Sequence, residues 1–223
     1  MCGRFTLTTN LEGLEEAFPG VHFPTPYAPR YNIAPGQPIL MIEAQQPAEA
    51  KLAIWGFLPA WAKPQTDRVG PYLNARTETA SIKPAFRAAW RSRRCLIPAD
   101  GFYEWQKVGG RSQVWHFCLP ERRPFAFGGL WEIWQGAEEE SILTCLILTV
   151  PANEVVRPVH ERMPLILLPQ EYEEWLYPAR QENPARWVRP FPSEGMTGYR
   201  VGSLVNRSDA EGPDLIRELT SEP

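Results

Sequence analysis

Gly101-Phe102-Tyr103-Glu104-Trp105-Gln106-Lys107 and Gln113-Val114-Trp115-His116-Phe117-Cys118-Leu119 are two strand-like runs on either side of a turn that contains Gly109-Gly110. Paired glycines supply the positive φ angles that a tight hairpin turn demands. The hairpin points to an antiparallel core, and the rest of the chain agrees with it. The 223 residues include 24 prolines and 9 tryptophans, which favours short strands joined by rigid loops over long helices. Further strands are expected at Ile39–Glu43, Lys51–Phe57, Phe125–Trp134, Ile142–Val150 and Leu165–Leu168. Leu7–Phe18 reads as a helix capped by Thr9 or Asn10, with Leu11, Leu14 and Phe18 on one face. Ala75–Trp90 holds one or two short helices broken at Pro84, and Pro169–Tyr177 a further one anchored by Tyr172, Trp175 and Leu176. Pro19–Pro38 and residues 58–75 read as loops. With no repeat and no flexible linker, the expectation is one α+β domain over residues 1–223 with a mostly antiparallel core. Its acidic tail, from about residue 209, is expected to pack loosely.

Hydrophobic residues make up 43% of the chain, enough for a substantial core. The longest apolar run, Ile142–Val150, is interrupted by Thr144 and Thr149 and is too short to span a bilayer. The start, Met-Cys-Gly-Arg-Phe, has no apolar stretch of signal-peptide length, so a cytosolic protein is expected. Cys95, Cys118 and Cys145 lie in apolar, strand-like segments and read as buried thiols; Cys2, in a polar and glycine-containing start, is the exception. No CxxC pair exists and the 3 histidines are scattered, so no metal site and no cofactor are expected. The net charge of -3 argues weakly against a nucleic-acid partner. Residues 1–111, however, carry 13 Lys+Arg against 9 Asp+Glu, which leaves room for a basic face on an acidic protein.

Cys2 is the first candidate for chemistry. Methionine aminopeptidases usually remove Met1 when a small residue follows, leaving an α-amine and a thiol on one residue. An α-amine with a pKa near about 8 is partly neutral at pH 7, and an ionised thiol is the best side-chain nucleophile. Such a 1,2-aminothiol condenses with an aldehyde to a Schiff base and then closes to a five-membered thiazolidine. Position alone also fits a small residue that merely permits removal of Met1. Glu104 shares a strand face with Phe102, opposite Tyr103 and Trp105. Among so many aromatics its carboxylate is either desolvated, with a pKa raised toward the acid-base range, or a plain solvent-facing Glu. His160, in a proline-bounded turn before Leu165–Leu168, is either a proton shuttle or a local cap. Asn74 and Arg76 start a helix, as a phosphate site or as an ordinary cap with an Arg–Glu surface pair. In Trp55-Gly56-Phe57-Leu58-Pro59-Ala60-Trp61, Trp55 suits the core and Trp61 suits base stacking at the surface.

Six segments in order then carry a resemblance. They are Met-Cys-Gly-Arg-Phe, Arg30-Tyr31-Asn32-Ile33-Ala34-Pro35-Gly36, Trp55-Gly56-Phe57-Leu58-Pro59, Asn74-Ala75-Arg76-Thr77-Glu78-Thr79, Pro98-Ala99-Asp100-Gly101-Phe102-Tyr103-Glu104-Trp105 and His160-Glu161-Arg162-Met163-Pro164. Together they resemble the SOS response-associated peptidase family, which includes abasic-site processing proteins; Ala60 and Ala62 around Trp61 are small departures. The resemblance implies a barrel-like β core with short peripheral helices. It implies that Cys2 forms a thiazolidine with the aldehyde of an abasic deoxyribose, with Asn74 holding sugar and nucleophile. Glu104 would transfer protons during ring opening, and His160 would assist crosslink reversal and strand-cleaving lyase activity. Arg4 and Arg76 match phosphate-contacting positions, and Asn32, Pro35, Trp61, Trp105 and Arg162 complete the expected DNA-facing set. The implied partner is single-stranded DNA bearing abasic sites, bound by a monomeric protein of the bacterial cytosol that joins the nucleoid on damage. The same four residues would also serve an N-terminal cysteine peptidase confined to removing Met1, and a non-covalent reader of modified bases would make Cys2 dispensable.

Overall fold

The computed structural model describes residues 2–63, 71–136, 140–179 and 182–219. In chain order the strands are β1 (Arg4–Leu7), β2 (Arg30–Ile33), β3 (Pro38–Glu43), β4 (Ala50–Trp55), β5 (Asn74–Arg76), β6 (Arg94–Ala99), β7 (Gly101–Val108), β8 (Arg111–Cys118), β9 (Phe125–Gln135), β10 (Ser141–Pro151), β11 (Arg162–Pro164), β12 (Ile166–Leu167) and β13 (Thr197–Val201). The helices are α1 (Leu11–Ala17), α2 (Thr77–Ala80), α3 (Arg87–Ser92) and α4 (Tyr172–Leu176), with short 3₁₀ turns between elements.

The expected hairpin is β7–β8, in eight-rung antiparallel register from Gly101↔Cys118 to Val108↔Arg111. Gly109 and Gly110 have φ of 55° and 79°, the positive values for which glycine was read there. The hairpin belongs to a five-stranded sheet in the order β13-β8-β7-β1-β2. The remaining strands form the second layer, where β10-β4-β3-β6-β9 closes on itself through β9–β10 pairing. The result is a five-stranded barrel with β5, β11 and β12 attached, and most of its ladders are antiparallel; β10 runs parallel to β4 and to β5. Aromatic side chains weld the layers together. Phe5 of β1 meets Trp55 of β4 edge-on at 5.4 Å and Phe127 of β9 at 5.7 Å. All three are buried, each removing a large apolar surface from water. Tyr103, Val114, Val201 and Leu215 form a smaller cluster on the other face of the five-stranded sheet.

Several local expectations give way to tertiary pairing. Leu7 ends β1 and does not begin a helix; α1 starts at Leu11 behind Asn10, whose side chain accepts from the Gly13 N–H at 2.9 Å. Thr8 and Thr9 are held outside the helix because their amides and hydroxyls donate to the buried Asp100 carboxylate. The proline-rich segment hides the edge strand β2, whose partner is β1. Asn74 and Arg76 lie in β5 and do not open a helix: β4 pairs with β10 only at Thr144 and Cys145, and β5 takes over the same edge at Ile147–Thr149. Helix α2 follows at Thr77, with no side-chain cap from Arg76. β6, buried along its whole length, shows in the sequence only as the apolar surroundings of Cys95, since Arg94 and Pro98 disguise it. The acidic tail packs as far as Leu219, because Leu215 and Ile216 are buried and the Glu211 carboxylate accepts from the Tyr31 N–H at 2.8 Å. Its last four residues lie outside the described ones.

At the start of β6 the Arg94 guanidinium lies against both Trp90 and Trp175, 4.6 Å and 4.5 Å from the ring centroids, and is bonded to both oxygens of Glu182. Its side chain is 1% exposed. Glu182→Gln leaves that charge buried without its counterion, so a loss of about 3–5 kcal/mol is expected in denaturant unfolding. A change under 1 kcal/mol would mean that the pair is not a stabilising unit.

Candidate active site

Where the five-stranded sheet meets the barrel, Asn74 and Glu104 converge on Cys2, and His160 stands beside Glu104. Cys2 lies just before β1. Asn74, on β5, donates from Nδ2 to the Cys2 carbonyl oxygen at 2.9 Å. A carbonyl can only accept, so this bond fixes the orientation of the Asn74 amide. Its Oδ1 is then buried with no hydrogen-bond partner among the described residues. The Cys2 thiol lies 3.6 Å from the Arg4 carbonyl oxygen. The polar start of the chain suggested an accessible thiol, but Cys2 is as buried as Cys95, Cys118 and Cys145, and all four are free. Burial, reinforced by the nearby Glu104 carboxylate, pushes the Cys2 thiol far above its ordinary range. At neutral pH it is a thiol and not a thiolate.

Glu104 arrives on β7. Strand alternation puts it on the Phe102 side, facing the main core, while Tyr103 and Trp105 join the smaller cluster behind. It is 2% exposed, so the solvent-facing alternative is excluded. Burial raises its carboxyl pKa, and the neighbouring His160 pulls it part of the way back. His160 follows the turn that leads from β10 to β11. Its Nδ1 lies 2.9 Å from the Arg162 N–H and 3.0 Å from the Arg162 carbonyl oxygen. A backbone N–H can only donate, so the neutral ring accepts there and carries its proton on Nε2.

The residues expected to face DNA divide into two sets. Arg76 is exposed, and its guanidinium lies near enough to the Glu78 carboxylate to help lower that group's pKa. Trp61 is 54% exposed, and its loop is pinned by a Trp134 Nε1–H bond to the Ala62 carbonyl at 2.8 Å. Pro35 is half-buried at a turn in which Gly36 has a φ of 81°. The second set is engaged inside the protein. Arg4 donates from Nη1 to Asn32 Oδ1 at 2.7 Å and to the Val205 carbonyl at 2.6 Å. Asn32 is buried, and its Nδ2 faces the carbonyls of Val205, Arg207 and Ala210. Both side chains thus clamp the C-terminal segment, and Asn32 offers no surface to a ligand in this structure. Trp105 is half-buried with its indole N–H on Asn206 Oδ1 at 2.8 Å. Arg162 is gripped by both oxygens of Glu78 and by the Thr149 carbonyl. Sequence reasoning passed over Glu78 and Asp100, although both stand inside quoted motifs; their partners, 84 and about 92 positions away, leave no local signal. Among the described residues no cluster of three His, Cys, Asp or Glu could hold a metal ion, and no helix is long and apolar enough to cross a membrane.

A barrel joined to a five-stranded sheet, with a cysteine near the chain start between an asparagine and a buried carboxylate that a histidine adjoins, defines the class. The chain belongs to the SOS response associated peptidase (SRAP) family, whose model matches residues 1–208. It is 38% identical over 224 residues to the abasic site processing protein YoqW of Bacillus subtilis, covering 97% of this chain and 99% of that protein. It is 32% identical over 234 residues to the abasic site processing protein YedK of Escherichia coli, covering 98% and 100%. The crystal structure of a protein from Bacteroides thetaiotaomicron superposes with a TM-score of 0.87 at 21% identity, over 98% of this chain and 100% of that one. That likeness speaks to the fold.

Proposed function

We propose that the protein processes abasic sites by linking covalently to them in single-stranded DNA through Cys2, after Met1 has been removed. The observation that carries the reading is the convergence of Asn74 and Glu104 on Cys2, with His160 beside Glu104, at the junction of sheet and barrel. The similarity to relatives named for abasic-site processing supports it.

The chemistry follows from these groups. An abasic deoxyribose is mostly a closed hemiacetal, so an acid-base group that opens the ring raises the concentration of aldehyde. Glu104, with its carboxyl pKa raised by burial, is suited to exchange that proton. The neutral α-amine of Cys2 adds to the aldehyde carbon, and loss of one water gives the Schiff base. The thiol sulfur then bonds to the same carbon while its proton passes to the imine nitrogen. The net change is aldehyde plus aminothiol to thiazolidine plus water, with no oxidant or cofactor. A thiol held protonated fits this order, because the amine reacts first and the sulfur closes the ring. His160, beside Glu104, is placed to serve the return path and any strand cleavage by elimination.

Single-stranded DNA carrying one abasic site should give a slower-migrating covalent band on a denaturing gel, and DNA without the site should not. No band would overturn the reading. Protein produced with methionine aminopeptidase inhibited should lose nearly all crosslinking, since an acylated Cys2 nitrogen cannot form an imine. Equal crosslinking by protein that retains Met1 would exclude the thiazolidine.

DNA engagement has its own test. Arg76 is the exposed cation of the β5 motif, and phosphate contacts position DNA without taking part in the chemistry. Arg76→Ala should weaken DNA binding and lower the salt slope by about 1, leaving the rate at saturating DNA close to wild type. A fall in the saturated rate with unchanged affinity would put Arg76 in the chemistry instead. Trp61 and Pro35 favour stacking on unpaired bases, so intact duplex should bind less tightly than single strands.

A further inference from the structure

We infer that Asp100 is a positioning residue for Cys2: its buried carboxylate locks β1 onto β7 in the register that presents Cys2 to Glu104. The inference rests on the proposed role of Cys2 and adds a residue to it.

Asp100 stands between β6 and β7, two strands that meet at Ala99 and Gly101, and is 1% exposed. Its carboxylate collects five donors from a four-residue stretch. The Thr6 hydroxyl donates to Oδ1 at 2.7 Å. On Oδ2 converge the Thr8 N–H, the Thr8 hydroxyl at 2.9 Å, the Thr9 N–H at 2.8 Å and the Thr9 hydroxyl at 3.0 Å. The Asp100 N–H donates in turn to the Thr6 carbonyl at 2.9 Å. No salt bridge neutralises this carboxylate among the described residues; the donors of β1 and its extension replace water around it.

The clamp reaches across the sheet. The Thr6 hydroxyl oxygen is 3.3 Å from His116 Nε2 on β8, and His116 Nδ1 is 3.1 Å from the Tyr199 hydroxyl on β13. Burial depresses the His116 pKa to about 3, so the ring is neutral and passes one hydrogen bond along: Tyr199 donates to Nδ1, Nε2–H donates to Thr6, and Thr6 donates to Asp100. Gly101 makes the passage possible. A Cβ there would sit 2.3 Å from His116 Nε2 and 2.8 Å from Thr6 Oγ1.

Register matters because β1 is short. It holds β7 by three rungs, Arg4↔Tyr103, Phe5↔Phe102 and Thr6↔Gly101. A slip of one residue turns every side chain to the opposite face and would take Cys2 away from Glu104. The Phe5 ring resists such a slip from the core side, and Asp100 resists it from the far end of the strand.

The test pairs Asp100→Asn with the double variant Thr8→Val, Thr9→Val. The second keeps the buried carboxylate and both backbone donors and removes only two hydroxyls, so it folds even where Asp100→Asn does not. Glu182→Gln, at the opposite end of β6, serves as a control destabilised elsewhere. Two rates are read on folded protein. One is iodoacetamide labelling of Cys2, followed by mass spectrometry; the other is crosslinking at saturating single-stranded abasic DNA, with affinity measured separately. Loosening β1 should speed Cys2 labelling and slow saturated crosslinking, each by about tenfold, with unchanged DNA affinity; a misplacement of about 1 Å can cost about 10²-fold. Labelling and crosslinking rates that match those of Glu182→Gln would reduce Asp100 to a stability element and overturn the inference. The labelling arm decides this even where wild-type protein forms no crosslink, an outcome that would count against the proposed function alone.

Discussion

Cys2→Ala is expected to leave no adduct that survives on a denaturing gel. Without sulfur the five-membered ring cannot close, and the Schiff base that the remaining α-amine forms is reversed by water. The same variant should still be trapped on abasic DNA by borohydride, because reduction fixes the carbon–nitrogen bond before hydrolysis. Strand cleavage by elimination from the Schiff base should persist for the same reason. Loss of the stable band together with retention of the trapped one separates the two halves of the aminothiol: the amine captures the aldehyde and the sulfur makes the product last. A stable band from Cys2→Ala would mean that another nucleophile carries the chemistry. Binding without any covalent product in wild type and variant alike would favour a non-covalent reader.

Glu104→Gln is expected to slow crosslinking by about 10²–10⁴-fold, the usual contribution of a general acid-base group, since an amide keeps hydrogen bonds but moves no proton. The same change should make the fold more stable. The carboxyl of Glu104 is raised in the folded protein by burial. Between its unfolded and folded pKa values the folded state binds more protons, so its contribution to stability falls as pH rises through that window. The penalty is complete above the folded value and absent below about 4.3, the ordinary Glu value. Melting curves should therefore show Glu104→Gln above wild type at pH 7.5, with the gap closing as pH falls toward 4. A slower and more stable variant is what a carboxylate buried for chemistry requires. A wild-type crosslinking rate in Glu104→Gln would remove Glu104 from proton transfer. Equal melting temperatures at both pH values would mean that its burial carries no electrostatic cost.

Sequence by itself determined the features that short-range physics controls. The Gly109-Gly110 turn and its flanking strands were legible because backbone preference and side-chain alternation act within a few residues. The same alternation put Glu104 and Phe102 on one face and Tyr103 and Trp105 on the other. Trp55 in the core and Trp61 at the surface followed from strand and loop character. Tertiary structure decided what depends on partners far along the chain. Leu7 belongs to a strand because β1 finds β7 and because Asp100, more than 90 residues away, takes the donors that would have opened a helix earlier. Asn74 is in a strand because β10 offers an edge that β4 does not use. Arg4, Asn32 and Arg162, equal to Arg76 as polar side chains in motifs, are engaged inside because Val205, Arg207 and Glu78 reach them first. The thiol of Cys2 is buried and protonated for a like reason. Desolvation is set by everything that packs around a group, and no local pattern of residues records it.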